Sequence, residues 1–126
     1  MARYFFINQK PINFYCDYPT ELGIKEQYSY AFTETDYPYL PKMIFHRVEN
    51  IAFRILDLQI TPIEVMHANM PVKGYRFKED GNANEFTYIT DAKTIAASEL
   101  DKIRGSSVLV LNESPRPILC QGRRIE

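Results

Sequence analysis

The sequence has no tryptophan, two cysteines, two histidines and five glycines among its 126 residues. Cys16 and Cys120 stand far apart, and neither belongs to a Cys-x-x-Cys pair. That spacing excludes a disulfide scaffold and a zinc knuckle. A reducing compartment is then the default, and a cytoplasmic protein is expected. His46 and His67 are the whole histidine complement, so a metal site made by this chain must draw on carboxylates. No apolar run approaches the ~20 residues of a membrane span. The opening Met1-Ala2-Arg3-Tyr4-Phe5-Phe6-Ile7 meets the polar Asn8 and Gln9 too soon for a secretory signal. A dominant charge is lacking as well: 15 Lys and Arg oppose 16 Asp and Glu, for a net charge of -1. Without a basic field, binding to nucleic acid or to an anionic membrane loses its usual driving force.

What is present is apolar and aromatic. Hydrophobic residues make up 45% of the chain, with nine Tyr and eight Phe. That much apolar area is costly to leave in water, so a packed core is expected rather than disorder. No internal repeat, low-complexity tract or flexible linker interrupts the chain.

The pattern alternates between strand and helix. Pro11-Ile12-Asn13-Phe14-Tyr15-Cys16 reads as a short strand, with Pro11 where a missing N–H is tolerated. Asp17-Tyr18-Pro19-Thr20 is turn and helix-start chemistry, and residues 20–28 suit a short helix with Ile24 and Tyr28 on one face. Residues 29–42 read as an ordered loop, and the tyrosine-rich residues 28–39 suit packing, a substrate entrance or a contact between copies. From Met43 the chain turns to strands. Leu58-Gln59-Ile60-Thr61-Pro62-Ile63-Glu64-Val65 alternates apolar and polar residues, and Pro62 points to a sheet edge or bulge. Residues 72–78 and 85–90 flank Asp80-Gly81-Asn82-Ala83-Asn84, which is hairpin chemistry. Ser98 with Asp101 resembles a capping box, and Gly105 ends that helix. Val108-Leu109-Val110-Leu111-Asn112 is almost continuously apolar, the signature of a strand buried on both faces. The expected fold class is α/β: a mixed sheet with flanking helices.

Two residues stand where chemistry could sit. His67 follows a strand, and Asp91 follows Phe86-Thr87-Tyr88-Ile89-Thr90. Strand ends can bring polar groups to one cleft, and a histidine with a carboxylate suits a divalent metal. The same positions also suit a hydrogen-bonded loop histidine and a turn aspartate. Lys93 beside Asp91 is either a phosphate-steering cation or an exposed helix-start lysine. His46, between Phe45 and Arg47, reads as a surface or core-edge residue. Arg116, Arg123 and Arg124 make the tail basic without making a nucleic-acid site.

Pro62-Ile63-Glu64-Val65-Met66-His67, Gly74-Tyr75-Arg76-Phe77, the 86–93 stretch ending in Asp91-Ala92-Lys93, and the 108–112 strand together resemble the metallo-β-lactamase fold. More narrowly they resemble its phosphoribosyl cyclic phosphate phosphodiesterase branch, over residues 11–112. The resemblance implies a partial αββα sandwich over residues 1–112 and a divergent tail over 113–126. It implies that His67 binds one metal and that Asp91 bridges two. In the full-length family the cofactor would be zinc or manganese, with the alternative that this chain binds none, and the substrate a small phosphodiester or related ester, attacked by metal-bound hydroxide. The family's His-x-His-x-Asp-His segment and its last ligand histidine have no counterpart here, since no histidine precedes His46 and none follows His67. The expectation is therefore a fragment of a hydrolase, not competent by itself and prone to oligomerise. The alternative is a non-catalytic binding module that keeps the remnant fold.

Overall fold

The computed structural model describes residues 10–33, 40, 42–113, 119–120 and 123–124. It divides into two compact units, Met1–Glu49 and Asn50–Glu126. Part of the tyrosine-rich loop, at 34–39 and 41, lies outside the described residues.

The first unit is a strand–helix–strand crossover. Strand β1 (Ile12–Cys16) pairs in parallel with β2 (Met43–Arg47), and helix α1 (Tyr18–Gln27) with a 3-10 turn at Ser29–Ala31 lies between them in sequence. Parallel strands need a long connection of this kind. Asp17 caps α1, its carboxylate accepting the Thr20 N–H at 3.1 Å. Glu21 sits in the first turn and Lys25 in the last, each at the end the helix dipole favours. Phe14 and Phe45 stack across the strand pair at 5.6 Å. His46 stacks on Tyr15 at 4.5 Å and its Nε2 meets Asn13 Oδ1 at 2.8 Å. The surface reading of that histidine therefore fits its position.

The second unit is built on β4 (Leu58–His67) and β5 (Met70–Glu79), antiparallel along their whole length. Strand β6 (Glu85–Ala92) joins the other edge of β5, and β8 (Val108–Glu113) joins β6 in parallel. The outer edge of β4 takes β3 (Phe53–Ile55) at one end and β7 (Thr94–Ile95) at the other. The tail returns as β9 (Leu119–Cys120), parallel to β7, and β10 (Arg123–Arg124). Helix α2 (Ala97–Ile103) covers one sheet face. The core is Ile63, Val65, Ile89, Ala92 and Ile95, with Val72, Leu100, Ile103 and Leu111 packed against it.

Three places bear on the sequence reading. Ser98 does not cap α2: the N-cap is Ala96, with no side-chain hydrogen bond, and Ser98 lies inside the helix. The helix is secured at its other end instead. Arg76 of β5 donates from one terminal nitrogen to the carbonyls of Lys102 (2.8 Å) and Arg104 (2.7 Å), while its remaining side reaches Glu85. A cation at that end meets both the orphan carbonyls and the dipole. Secondly, Pro62 lies at an open stretch of sheet edge, as its place in the sequence suggests. On β4 the pairing with β3 reaches only to Ile60 and that with β7 begins at Val65, so the missing N–H of Pro62 falls in a gap along the outer edge. Thirdly, Val108, Leu109 and Val110 are not buried on both faces: they are 54%, 47% and 41% exposed. Among the described residues β8 pairs only with β6 and ends the sheet. An apolar groove of about 350 Å³, lined by Ile89, Leu100, Ile103, Leu109 and Leu111, runs beside it.

Candidate metal site

His67 is the last residue of β4. A two-residue turn at Ala68 and Asn69 returns the chain to Met70, which pairs with His67. Ala68 takes the left-handed conformation, φ 53°, as such tight hairpin turns require. Asp91 reaches the same place by a different route. β6 leaves β5 after the Tyr75–Tyr88 pair, passes over Gly74, and swings toward the end of β4. The pairing of β6 with β8 is irregular between Ile89 and Ala92, which marks the same bend. Lys93 then donates its N–H to the Met66 carbonyl at 2.8 Å.

The outcome is a contact. His67 Nδ1 lies 3.0 Å from the backbone carbonyl oxygen of Asp91. A carbonyl can only accept, so Nδ1 carries a proton, and in the neutral ring Nε2 keeps its lone pair. That arrangement, a backbone carbonyl fixing the imidazole tautomer through the other nitrogen, is the one that supports a metal-ligating histidine. Asp91 itself adopts φ 57°, a left-handed backbone that aspartate tolerates better than most residues. Strained backbone of this kind is retained where neighbouring structure holds it, commonly at functional sites. Both residues are exposed to solvent. The two therefore share one end of the sheet, joined through the Asp91 main chain.

The donor chemistry fits part of a metal centre. A neutral imidazole and a carboxylate are proper ligands for zinc or manganese. Among the described residues no group of three or more His, Cys, Asp or Glu comes together. His46 is in the other compact unit and is bonded to Asn13. Lys93 uses its main chain on Met66 and has an exposed side chain.

A second polar cluster lies along β4. Glu99 of α2 is buried, yet its carboxylate accepts from the Glu64 N–H (2.9 Å), Asn50 Nδ2 (3.1 Å) and Lys102 Nζ (2.8 Å). Burial pushes this carboxyl up, but the Lys102 bond, the Glu64 N–H and Asn50 outweigh it and hold it below its ordinary value. In sequence Glu99 is an ordinary helical glutamate. Its i, i+3 spacing to Lys102 was the only trace of this role.

A family model described as "Beta-lactamase superfamily domain" matches residues 1–116. The chain belongs to that superfamily. A diphosphatase from the PhnP family has the same fold over 86% of this chain, with TM-score 0.66 and 24% identity. Zn(2+)-bound PqqB from Methylobacterium extorquens does so over 85%, with TM-score 0.61 and 15% identity. A protein of Porphyromonas gingivalis (strain ATCC BAA-308 / W83) named octanoyltransferase is 29% identical over 91 residues, 71% of this chain. The superfamily chain spans 38% and 39% of the two solved structures and 17% of that relative. The fold expected from the sequence, a partial metallo-β-lactamase architecture, is thus the fold observed. Among the described residues no helix of this superfamily member is long and apolar enough to cross a membrane.

Proposed function

We propose that this chain is part of a metal-dependent hydrolase acting on a phosphodiester or related small-molecule ester, with His67 and Asp91 as two of its metal ligands. The observation that carries this reading is the 3.0 Å contact of His67 Nδ1 with the Asp91 carbonyl, at one end of a superfamily sheet. Nε2 would ligate, the Asp91 carboxylate would bridge, and the protonated Nδ1 keeps the ring from rotating away. A bound zinc or manganese pair would supply an activated hydroxide and neutralise charge on the attacking and leaving oxygens. Lys93, two residues from Asp91, would steer an anionic ester toward the site. A catalytic zinc usually needs three protein ligands, and among the described residues only His67 and Asp91 meet here, so a complete centre needs further ligands. The reading includes a reduced, cytoplasmic setting, which the two widely spaced cysteines of the sequence favour.

The exposed apolar strip of Phe86, Tyr88, Val108 and Val110 favours a second reading, a non-catalytic interaction module that keeps the fold.

The test is hydrolysis of bis(p-nitrophenyl) phosphate by the purified chain with zinc or manganese, beside His67→Ala. The expected rate is no higher than that of the variant, together with zinc binding that the variant loses. A robust metal-dependent rate abolished by His67→Ala would show that the chain completes its own centre. Zinc binding unchanged by His67→Ala would remove the metal reading and leave the interaction module.

A further inference from the structure

Segment 91–102 runs antiparallel along the outer edge of β4, from His67 back to Pro62. At the top, His67 Nδ1 meets the Asp91 carbonyl. Next, the Met66 carbonyl accepts the Lys93 N–H, and Val65 and Met66 pair with Ile95 and Thr94. There the backbone ladder stops, because the chain coils into α2 at Ala97. β3 resumes pairing on this edge only at Ile60. In the gap the Glu64 N–H and the Pro62 carbonyl would lack partners.

Two side chains of α2 occupy that gap. Glu99 Oε2 accepts the Glu64 N–H at 2.9 Å, and Lys102 Nζ donates to the Pro62 carbonyl at 3.2 Å. Lys102 Nζ also binds both Glu99 oxygens, at 3.1 and 2.8 Å, so the pair acts as a unit. A carboxylate and an ammonium thus do for β4 what the acceptor and donor of a neighbouring strand would do. Such charge-assisted bonds are stronger than the neutral ones they replace.

We propose that Glu99 is a positioning residue for the His67–Asp91 site. By standing in for a strand on β4 it holds α2, and through the short β7 it holds Asp91, in register against the end of β4. Two residue pairs of β7 tie this segment to β4 by a ladder, and the Glu99 and Lys102 bonds extend that tie along the same edge. The relevance to a metal rests on the reading of His67 and Asp91 as ligands; the positioning itself does not.

The experiment is ¹⁵N NMR of the His67 ring in the full chain, without metal. The native protein should show the Nδ1-protonated tautomer, since Nδ1 donates to a carbonyl. In Glu99→Ala that tautomer should fall below half of the population. In Glu99→Gln, whose side-chain oxygen can still accept the Glu64 N–H, it should be largely retained. A melting temperature would drop for any structural role, so it does not decide the matter. A folded Glu99→Ala protein with an unchanged His67 tautomer would overturn the proposal. If that variant does not fold, Lys102→Met is read instead, since it removes one half of the side-chain ladder: a shifted tautomer supports the proposal and an unchanged one overturns it. Adding zinc to the native protein separates the two claims. Tautomer control by Glu99 with no zinc effect on the His67 signals would keep the positioning role and remove the metal reading.

Discussion

Gly74 lies directly beneath Ile89. A Cβ on the glycine would stand 2.6 Å from Ile89 Cγ1, 3.2 Å from Ile89 Cβ and 3.1 Å from the Tyr88 carbonyl oxygen. Ile63, paired with Gly74 across β4 and β5, and Ile89 above it are both fully buried. This one missing side chain lets β6 pass close over β5 on its way to the end of β4, and so lets Asp91 reach His67.

Gly74→Ala should therefore be destabilising, although its backbone φ is ordinary. Two of the clashing atoms belong to a packed core residue and one to backbone, so relief requires β6 to lift. Overpacking of this kind costs about 1–3 kcal/mol. Urea unfolding should show a lower midpoint with an unchanged slope. A midpoint equal to the native one would mean that β6 does not cross at this distance.

Acid should weaken the second unit through Glu99 and Glu85. For Glu85, burial pushes the carboxyl up, but Arg76 and Lys78 outweigh it and hold it below its ordinary value. Glu99 is held low in the same sense by Lys102, the Glu64 N–H and Asn50. A carboxyl whose folded value is depressed contributes stability that is present above its unfolded value, ~4.3, and is lost as pH falls through the lower folded value. Melting temperature should fall below about pH 4, and Glu99→Gln should flatten that fall. An equally steep acid fall in Glu99→Gln would assign the effect to other groups.

Removing the clamp on the end of α2 should loosen that helix more than its surface position suggests. Arg76→Met keeps much of the stem but leaves the carbonyls of Lys102 and Arg104 without this donor. Hydrogen bonds to a charged group contribute about 1.5–3 kcal/mol. Amide exchange of residues 100–106 should accelerate in the variant while that of β4 and β5 stays slow. Uniform acceleration across the sheet would point instead to global destabilisation.

The open edge of β8 should make the isolated chain associate. Its apolar residues Val108, Leu109 and Val110 are half-exposed, no charged residue lies between 105 and 112, and such edges invite strand addition. The protein should bind a hydrophobic dye and elute earlier from size exclusion as concentration rises. A Leu109→Lys, Val110→Lys double variant should do less of both. A concentration-independent monomer that binds no dye would show that this edge is closed in solution.

Much of the architecture was legible from local pattern. The strand at β1, the capped start of α1 at Asp17, the hairpin around Asp80 and Gly81, and the alternation of β4 each follow from residues a few positions apart. The two candidate ligands were legible as strand-end polar groups, and the family resemblance added a reason to pair them. The Glu99–Lys102 ladder and the Arg76 clamp were not. Glu99 bonds a main-chain N–H 35 positions earlier, and Arg76 reaches carbonyls 26 and 28 positions later. A side chain that serves a distant backbone group leaves no periodicity behind. The false cap at Ser98 shows the converse: a local motif can be present while the chain enters the helix two residues sooner.

By itself the sequence determined most of the longer strands, the scarcity of histidine, and the absence of a charge field for nucleic acid. These depend on side-chain type and on spacing within one element. Only the tertiary structure decided that β6 crosses Gly74, that His67 meets Asp91 through a carbonyl, and that β8 is an edge among the described residues. Burial on two faces is a property of what lies on both sides of a strand. An apolar run such as Val108-Leu109-Val110-Leu111 encodes the demand for neighbours, whereas the sheet order determines whether they are there.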